Sequence, residues 1–133
     1  MHAIVGMDHI GLRVTELART RRFYEKLGFV FLDGPLGPEP VAIMEHPAGV
    51  NLNLILNGDE SLRANPLMDY PEKPAGYTHV ALRVSDAREV QEDLRAQGIA
   101  VSEGPVELGG GLSLFVRDPD RNVVELHQPG TGS

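Results

Sequence analysis

The chain has 133 residues, enough for one compact domain with a real core, and a formal net charge of −7, which disfavours nucleic acid and anionic membrane as partners. It holds no cysteine, which excludes a disulfide framework and any thiolate metal site. No run of 18 apolar residues forms a membrane helix, and Met1-His2-Ala3 lacks the basic start of a signal peptide, so the cytoplasm is the expected location.

Residues 8–14, Asp-His-Ile-Gly-Leu-Arg-Val, alternate with period two and predict a strand. His9, Gly11 and Arg13 then share one face, and Ile10, Leu12 and Val14 the other. Thr15 is placed to cap a following helix, with Glu16 in its first turn. Leu17, Phe23, Tyr24 and Leu27 lie on or near one helical face, and Gly28 stands just past the C-terminus. Short strands are predicted at 29–33, 41–45 and 50–56, the first followed by a turn-rich loop through Gly34-Pro35 and Pro40. Residues 58–76, with Pro66, Pro71 and Pro74, read as a connection.

The plan then starts again. Residues 78–84 read Thr-His-Val-Ala-Leu-Arg-Val, with His79 standing 70 positions after His9. Ser85 or Asp86 caps a helix whose Ala87, Val90 and Leu94 share a face, and Gly98 ends it. Strands follow at 99–103, about 111–117, and 122–127. Gly109-Gly110-Gly111 lies between strands and reads as a turn, because it lacks the strand-to-helix setting of a phosphate loop. Leu27-Gly28-Phe29 recurs as Gln97-Gly98-Ile99 at offset 70. Pro47–Leu54 matches Pro119–Leu126 at offset 72, which sets Asn53 opposite Glu125. The reading is a tandem repeat of one strand–helix–three-strand unit.

The repeat brings chemistry with it. His9, His79 and Glu125 are two imidazoles and a carboxylate on three strands, the set that binds a divalent metal while leaving coordination positions open. Nitrogen and oxygen donors without sulfur suit Ni, Zn, Mn, Co or Fe(II). The plain alternative is that each histidine is a satisfied structural residue. Asn53 stands where a symmetric site would have a second carboxylate; it can offer a neutral oxygen but cannot serve as a general base. His127 shares the strand face of Glu125, as a candidate acid or base or as an ordinary strand-end histidine. Arg13 and Arg83 share the faces of the two histidines, either to hold an anionic substrate or to sit in salt bridges.

Asp8-His9-Ile10, Arg22 to Phe29, Tyr77 to Ala81, and Asp118 to Leu126 together resemble the vicinal oxygen chelate superfamily over residues 6–128. That superfamily includes glyoxalase I, fosfomycin-resistance thiol transferases, methylmalonyl-CoA epimerase, extradiol dioxygenases and bleomycin-resistance proteins. The resemblance implies an α+β fold of tandem βαβββ modules, forming a curved, half-closed mixed sheet with helices on the outside. Module one would span about 6–57 and module two about 77–128 of a single domain. The three shared metal ligands map onto His9, His79 and Glu125. Glyoxalase I has a second glutamate at the place of Asn53, extradiol dioxygenases have a tyrosine where this chain has Phe115, and bleomycin-resistance proteins lack the ligands. The expectation is a metal-dependent, glyoxalase-like lyase or isomerase for a small carbonyl or hydroxy-carbonyl substrate, acting as a homodimer. Glu125 or His127 would move the proton, with Asn53 beside the coordination shell. The alternatives are an extradiol-type Fe(II) dioxygenase and a non-enzymatic binding protein.

Overall fold

A computed structural model describes residues 1–61 and 64–130. Leu62 and Arg63, within the expected connection, lie outside the described residues. The chain packs as two compact units, Met1–Leu62 and Arg63–Ser133.

The first unit contains β1 (Ile10–Arg13), α1 (Leu17–Lys26), β2 (Val30–Leu36), β3 (Val41–His46) and β4 (Val50–Ile55). Its sheet has the order β1-β4-β3-β2, with β1 parallel to β4 and the other pairs antiparallel. The second unit contains β5 (His79–Arg83), α2 (Ala87–Ala96), β6 (Val101–Leu108), β7 (Gly111–Arg117) and β8 (Val123–Gln128). Its order, β5-β8-β7-β6, is the same topology with the same strand directions. Neither sheet closes into a barrel, and each is the mixed, half-open sheet of an α+β module.

The register makes the repeat quantitative. Gly11 pairs with Asn53 in the first unit, and Ala81 pairs with Glu125 in the second. Those pairs are related by offsets of 70 and 72, as the sequence predicts. Both β2 and β6 carry matching register irregularities, at Phe31/Asp33/Leu36 and at Val101/Glu103/Val106. At their centres Gly34 and Gly104 have φ of 120° and 94°, which only glycine adopts without strain. The two extra residues enter in the β6–β7 hairpin. Leu36↔Val41 is the last rung in the first unit, whereas Val106↔Ser113 is followed by Glu107↔Leu112 and Leu108↔Gly111. Gly109 and Gly110, both at positive φ, form the two-residue turn that closes this longer hairpin.

Each unit buries one face of its sheet under its helix. In the first, Phe23, Tyr24, Phe29, Ala42, Met44, Leu52 and Leu54 are buried, and Tyr24 meets Phe23 and Phe29 edge-on at 5.0 and 5.7 Å. In the second, Ala87 and Leu94 of α2 are buried together with Leu114, Val116, Val124 and Leu126. Each large aliphatic side chain buried in this way contributes about 1.5–3 kcal/mol.

Two local expectations need correction. The first strand begins at Ile10, so His9 precedes it rather than lying within it. Thr15 does not cap α1: the N-cap is Glu16, without a side-chain bond, and the Thr15 hydroxyl accepts instead from Arg19. In α2 the cap is Asp86, whose Oδ1 accepts from the backbone of Arg88 and Glu89. Within the connection, residues 65–69 are bound to the end of the second sheet. Arg117 grips both oxygens of Asp69 at 2.9 and 3.1 Å, and the Asn65 amide donates to the Arg121 carbonyl. Among the described residues, no helix is long and apolar enough to cross a membrane.

Candidate functional site

In the second unit, period-two alternation sends Val80, Leu82, Val124 and Leu126 toward the helix and leaves His79, Ala81, Glu125 and His127 on the open face. Because β5 and β8 run parallel with Ala81 opposite Glu125, the two side chains His79 and Glu125 meet diagonally. His79 Nε2 lies 2.9 Å from Glu125 Oε1. A carboxylate only accepts, so the imidazole N–H donates here, and the Thr78 hydroxyl donates to His79 Nδ1 at 2.9 Å. The Phe115 ring packs edge-on against His79 at 5.9 Å.

Glu125 is 8 % exposed yet fully partnered. Its second oxygen, Oε2, accepts from Ser113 Oγ at 2.7 Å, and the same Oγ lies 2.7 Å from His127 Nδ1. His79, Glu125, Ser113 and His127 therefore form one continuous polar network on three strands. Ser113 was not singled out from the sequence. The signal was present in Leu112-Ser113-Leu114, a lone polar residue in an apolar strand, on the face that also carries Phe115.

In the first unit, His9 Nδ1 donates to Asp8 Oδ1 at 2.7 Å, which leaves Nε2 as the acceptor nitrogen of the neutral ring. Each histidine is thus oriented through Nδ1 by the residue before it, Asp8 or Thr78. Asn53 lies on the open face of β4 opposite Gly11, and its side chain makes no hydrogen bond among the described residues. The places of Ser113 and His127 are taken here by Val41 and Ile55, so the second unit alone has the hydroxyl and the extra imidazole.

The two arginines differ. Arg13 donates from Nε to Asn57 at 2.8 Å and stands 3.5 Å from Glu39, the salt-bridged state. Arg83, beside His127 in the register, makes no such pair among the described residues.

Within neither unit do three His, Asp or Glu side chains of the described residues gather as a metal-binding group. The second unit does set two donors of metal-binding type, His79 Nε2 and Glu125 Oε1, side by side. An ion held at Nε2 would require the imidazole proton on Nδ1, where the Thr78 hydroxyl can accept the hydrogen bond.

The family model described as the Glyoxalase/Bleomycin resistance protein/Dioxygenase superfamily matches residues 6–126. A lactoylglutathione lyase of Escherichia coli O157:H7 is 33 % identical over 127 residues, covering 89 % of this chain and 88 % of that one. Among solved structures, a glyoxalase family protein from Enterococcus faecalis aligns with a TM-score of 0.75 at 27 % identity, over 92 % of this chain and 96 % of that one. TnmS3, an antibiotic binding protein from Streptomyces sp. CB03234, aligns with a TM-score of 0.74 at 25 % identity, over 98 % and 100 %. With two matching βαβββ units and a family match across both, the chain belongs to the Glyoxalase/Bleomycin resistance protein/Dioxygenase superfamily.

Proposed function

We propose that the protein is a metal-dependent, glyoxalase-like lyase or isomerase that acts on a small carbonyl or hydroxy-carbonyl compound. The observation that carries this reading is the pairing of His79 Nε2 with Glu125 Oε1 at 2.9 Å on the open face of the second sheet. His79 and Glu125 are two ligands of the ion and His9, the repeat-equivalent of His79, is the third. The ion is Ni, Zn, Mn, Co or Fe(II), in keeping with a nitrogen and oxygen donor set. When bound, it supplies Lewis-acid stabilisation of an enolate-like oxyanion.

The remaining chemistry falls to the chain's own residues. Glu125 takes the substrate proton, and His127, joined to it through Ser113, is the neighbouring acid or base. Asn53 offers a neutral amide oxygen or a hydrogen bond to the substrate, and takes no proton. A dioxygenase reading is disfavoured at Phe115, which faces His79 with a hydrocarbon ring and has no hydroxyl to donate.

The second reading is a small-molecule-binding protein, favoured by the likeness to an antibiotic binding protein. Metal analysis joined to turnover assays on α-keto, thiohemiacetal and catechol compounds separates the two. Bound metal with turnover supports the enzyme; tight binding of a small molecule with no turnover of any of them supports the binder.

The protein acts as a cytoplasmic homodimer in this reading. Support for pairing comes from β1 and β5, each the outer strand of its sheet, and from exposed Ile4, Val5, Met7 and Tyr77.

A further inference from the structure

We infer that Ser113 is the positioning residue of Glu125. Its hydroxyl engages one carboxylate oxygen, so that Oε1 alone is presented beside His79 Nε2. This rests on the metal-dependent reading above.

The hydroxyl is fully buried and lies 2.7 Å from both Glu125 Oε2 and His127 Nδ1. It has a single proton. The carboxylate accepts only, so that proton goes to Oε2, and Oγ must accept from the Nδ1–H of His127. The network thus has one polarity: His127 donates to Ser113, and Ser113 donates to Glu125. His127 Nδ1 and Glu125 Oε2 are 3.6 Å apart, too far for a good direct bond, so the serine bridges them. Two consequences follow. The Glu125 carboxyl is held against turning both oxygens to one side, and Nε2 is left as the acceptor nitrogen of the neutral His127 ring.

The first unit provides the control. At the place of Ser113 it has Val41, at that of His127 it has Ile55, and Asn53 stands at that of Glu125 without a side-chain partner among the described residues. The same fold is therefore built with an aliphatic residue at this position. A hydroxyl is present only in the copy that has a carboxylate to orient. Orienting partners of this kind fix the donor atom of a ligand before the ion arrives, which is where their effect on affinity originates.

The test is a Co(II) titration of the full chain, read by equilibrium dialysis and by visible absorption of the bound ion. Ser113→Ala should retain the wild-type far-ultraviolet circular dichroism and the same stoichiometry. It should lose about tenfold to a hundredfold in affinity, and its Co(II) bands should shift as the carboxylate turns a second oxygen to the ion. Ser113→Val puts there the residue type that the first unit carries as Val41, has no hydroxyl to donate, should show the same two changes, and decides the question if the alanine variant does not fold. Affinity within twofold of wild type together with an unchanged spectrum, in a wild type that binds Co(II), overturns the role of Ser113 and leaves the metal reading standing. A wild-type chain that binds no Co(II) overturns the metal reading itself, and the role of Ser113 with it.

Discussion

His79 Nε2 and Glu125 Oε1 stand 2.9 Å apart on neighbouring parallel strands, in which Ala81 pairs with Glu125 as Gly11 pairs with Asn53 in the first unit. At this register position the two copies of one fold have diverged, carboxylate against amide. Asn53→Ala should therefore lower turnover more than metal affinity, by about tenfold in kcat against less than threefold in Kd, since an amide oxygen is a weaker ligand than imidazole or carboxylate. Parallel measurement of metal Kd and steady-state rates checks this; equal losses in both would make Asn53 a full ligand.

Gly104 holds β6 against β7 at the point where Ser113 lies. A Cβ there would come within 2.5 Å of the Ser113 carbonyl, at a φ of 94° that other residues rarely adopt. Gly104→Ala should cost about 2–3 kcal/mol in denaturant unfolding and should disturb the Glu125 network with it. An unchanged unfolding midpoint would contradict the close approach.

Asp69 ties residues 65–69 to the second sheet. The bidentate bond from Arg117, helped by the Asn65 N–H, holds its carboxyl below the ordinary 3.8, at about 2. A group whose folded pKa is lowered stabilises the fold above its unfolded pKa and loses that contribution as pH falls through the folded value. Stability should therefore decline between about pH 4 and pH 2, by on the order of 1–2 kcal/mol after allowance for solvent screening. Asp69→Asn should flatten that limb while lowering stability at pH 7, as followed by urea unfolding across pH 2–7.

Arg121 has a φ of 69°, in the turn where Asp118 Oδ1 accepts from the backbone of Asp120 and Asn122. Left-handed backbone costs a non-glycine residue about 1–2 kcal/mol. Arg121→Gly gives up only a long 3.5 Å contact with Asp69 and should raise stability by about 0.5–1 kcal/mol. A lowered melting temperature would show that the guanidinium matters more than the backbone.

The repeat was legible because it is written in side-chain identity as well as in period: His, Leu, Arg and Val recur in step, and Gly28 and Gly98 end the two helices at matching places. The position of the two-residue insertion was not. A Gly-rich turn looks the same whether or not the hairpin before it has grown by two rungs, and the register alone reveals it. Thr15 misled because a Thr before a helical pattern predicts a cap equally well one residue early, and its hydroxyl is engaged by Arg19 instead. Asp69 and Ser113 escaped notice for a shared reason. Their partners, Arg117 for the first and Glu125 with His127 for the second, come from strand pairing or from contacts across dozens of residues, and local pattern is silent about both.

The central claim is that the two histidines and Glu125 hold a divalent ion that the chemistry requires. Elemental analysis with metal titration of wild type and His79→Ala tests it most directly. The account predicts one ion per site in the wild type, and joint loss of affinity and activity in His79→Ala. Full metal stoichiometry with unchanged affinity in His79→Ala would contradict it and return His79 to a structural role.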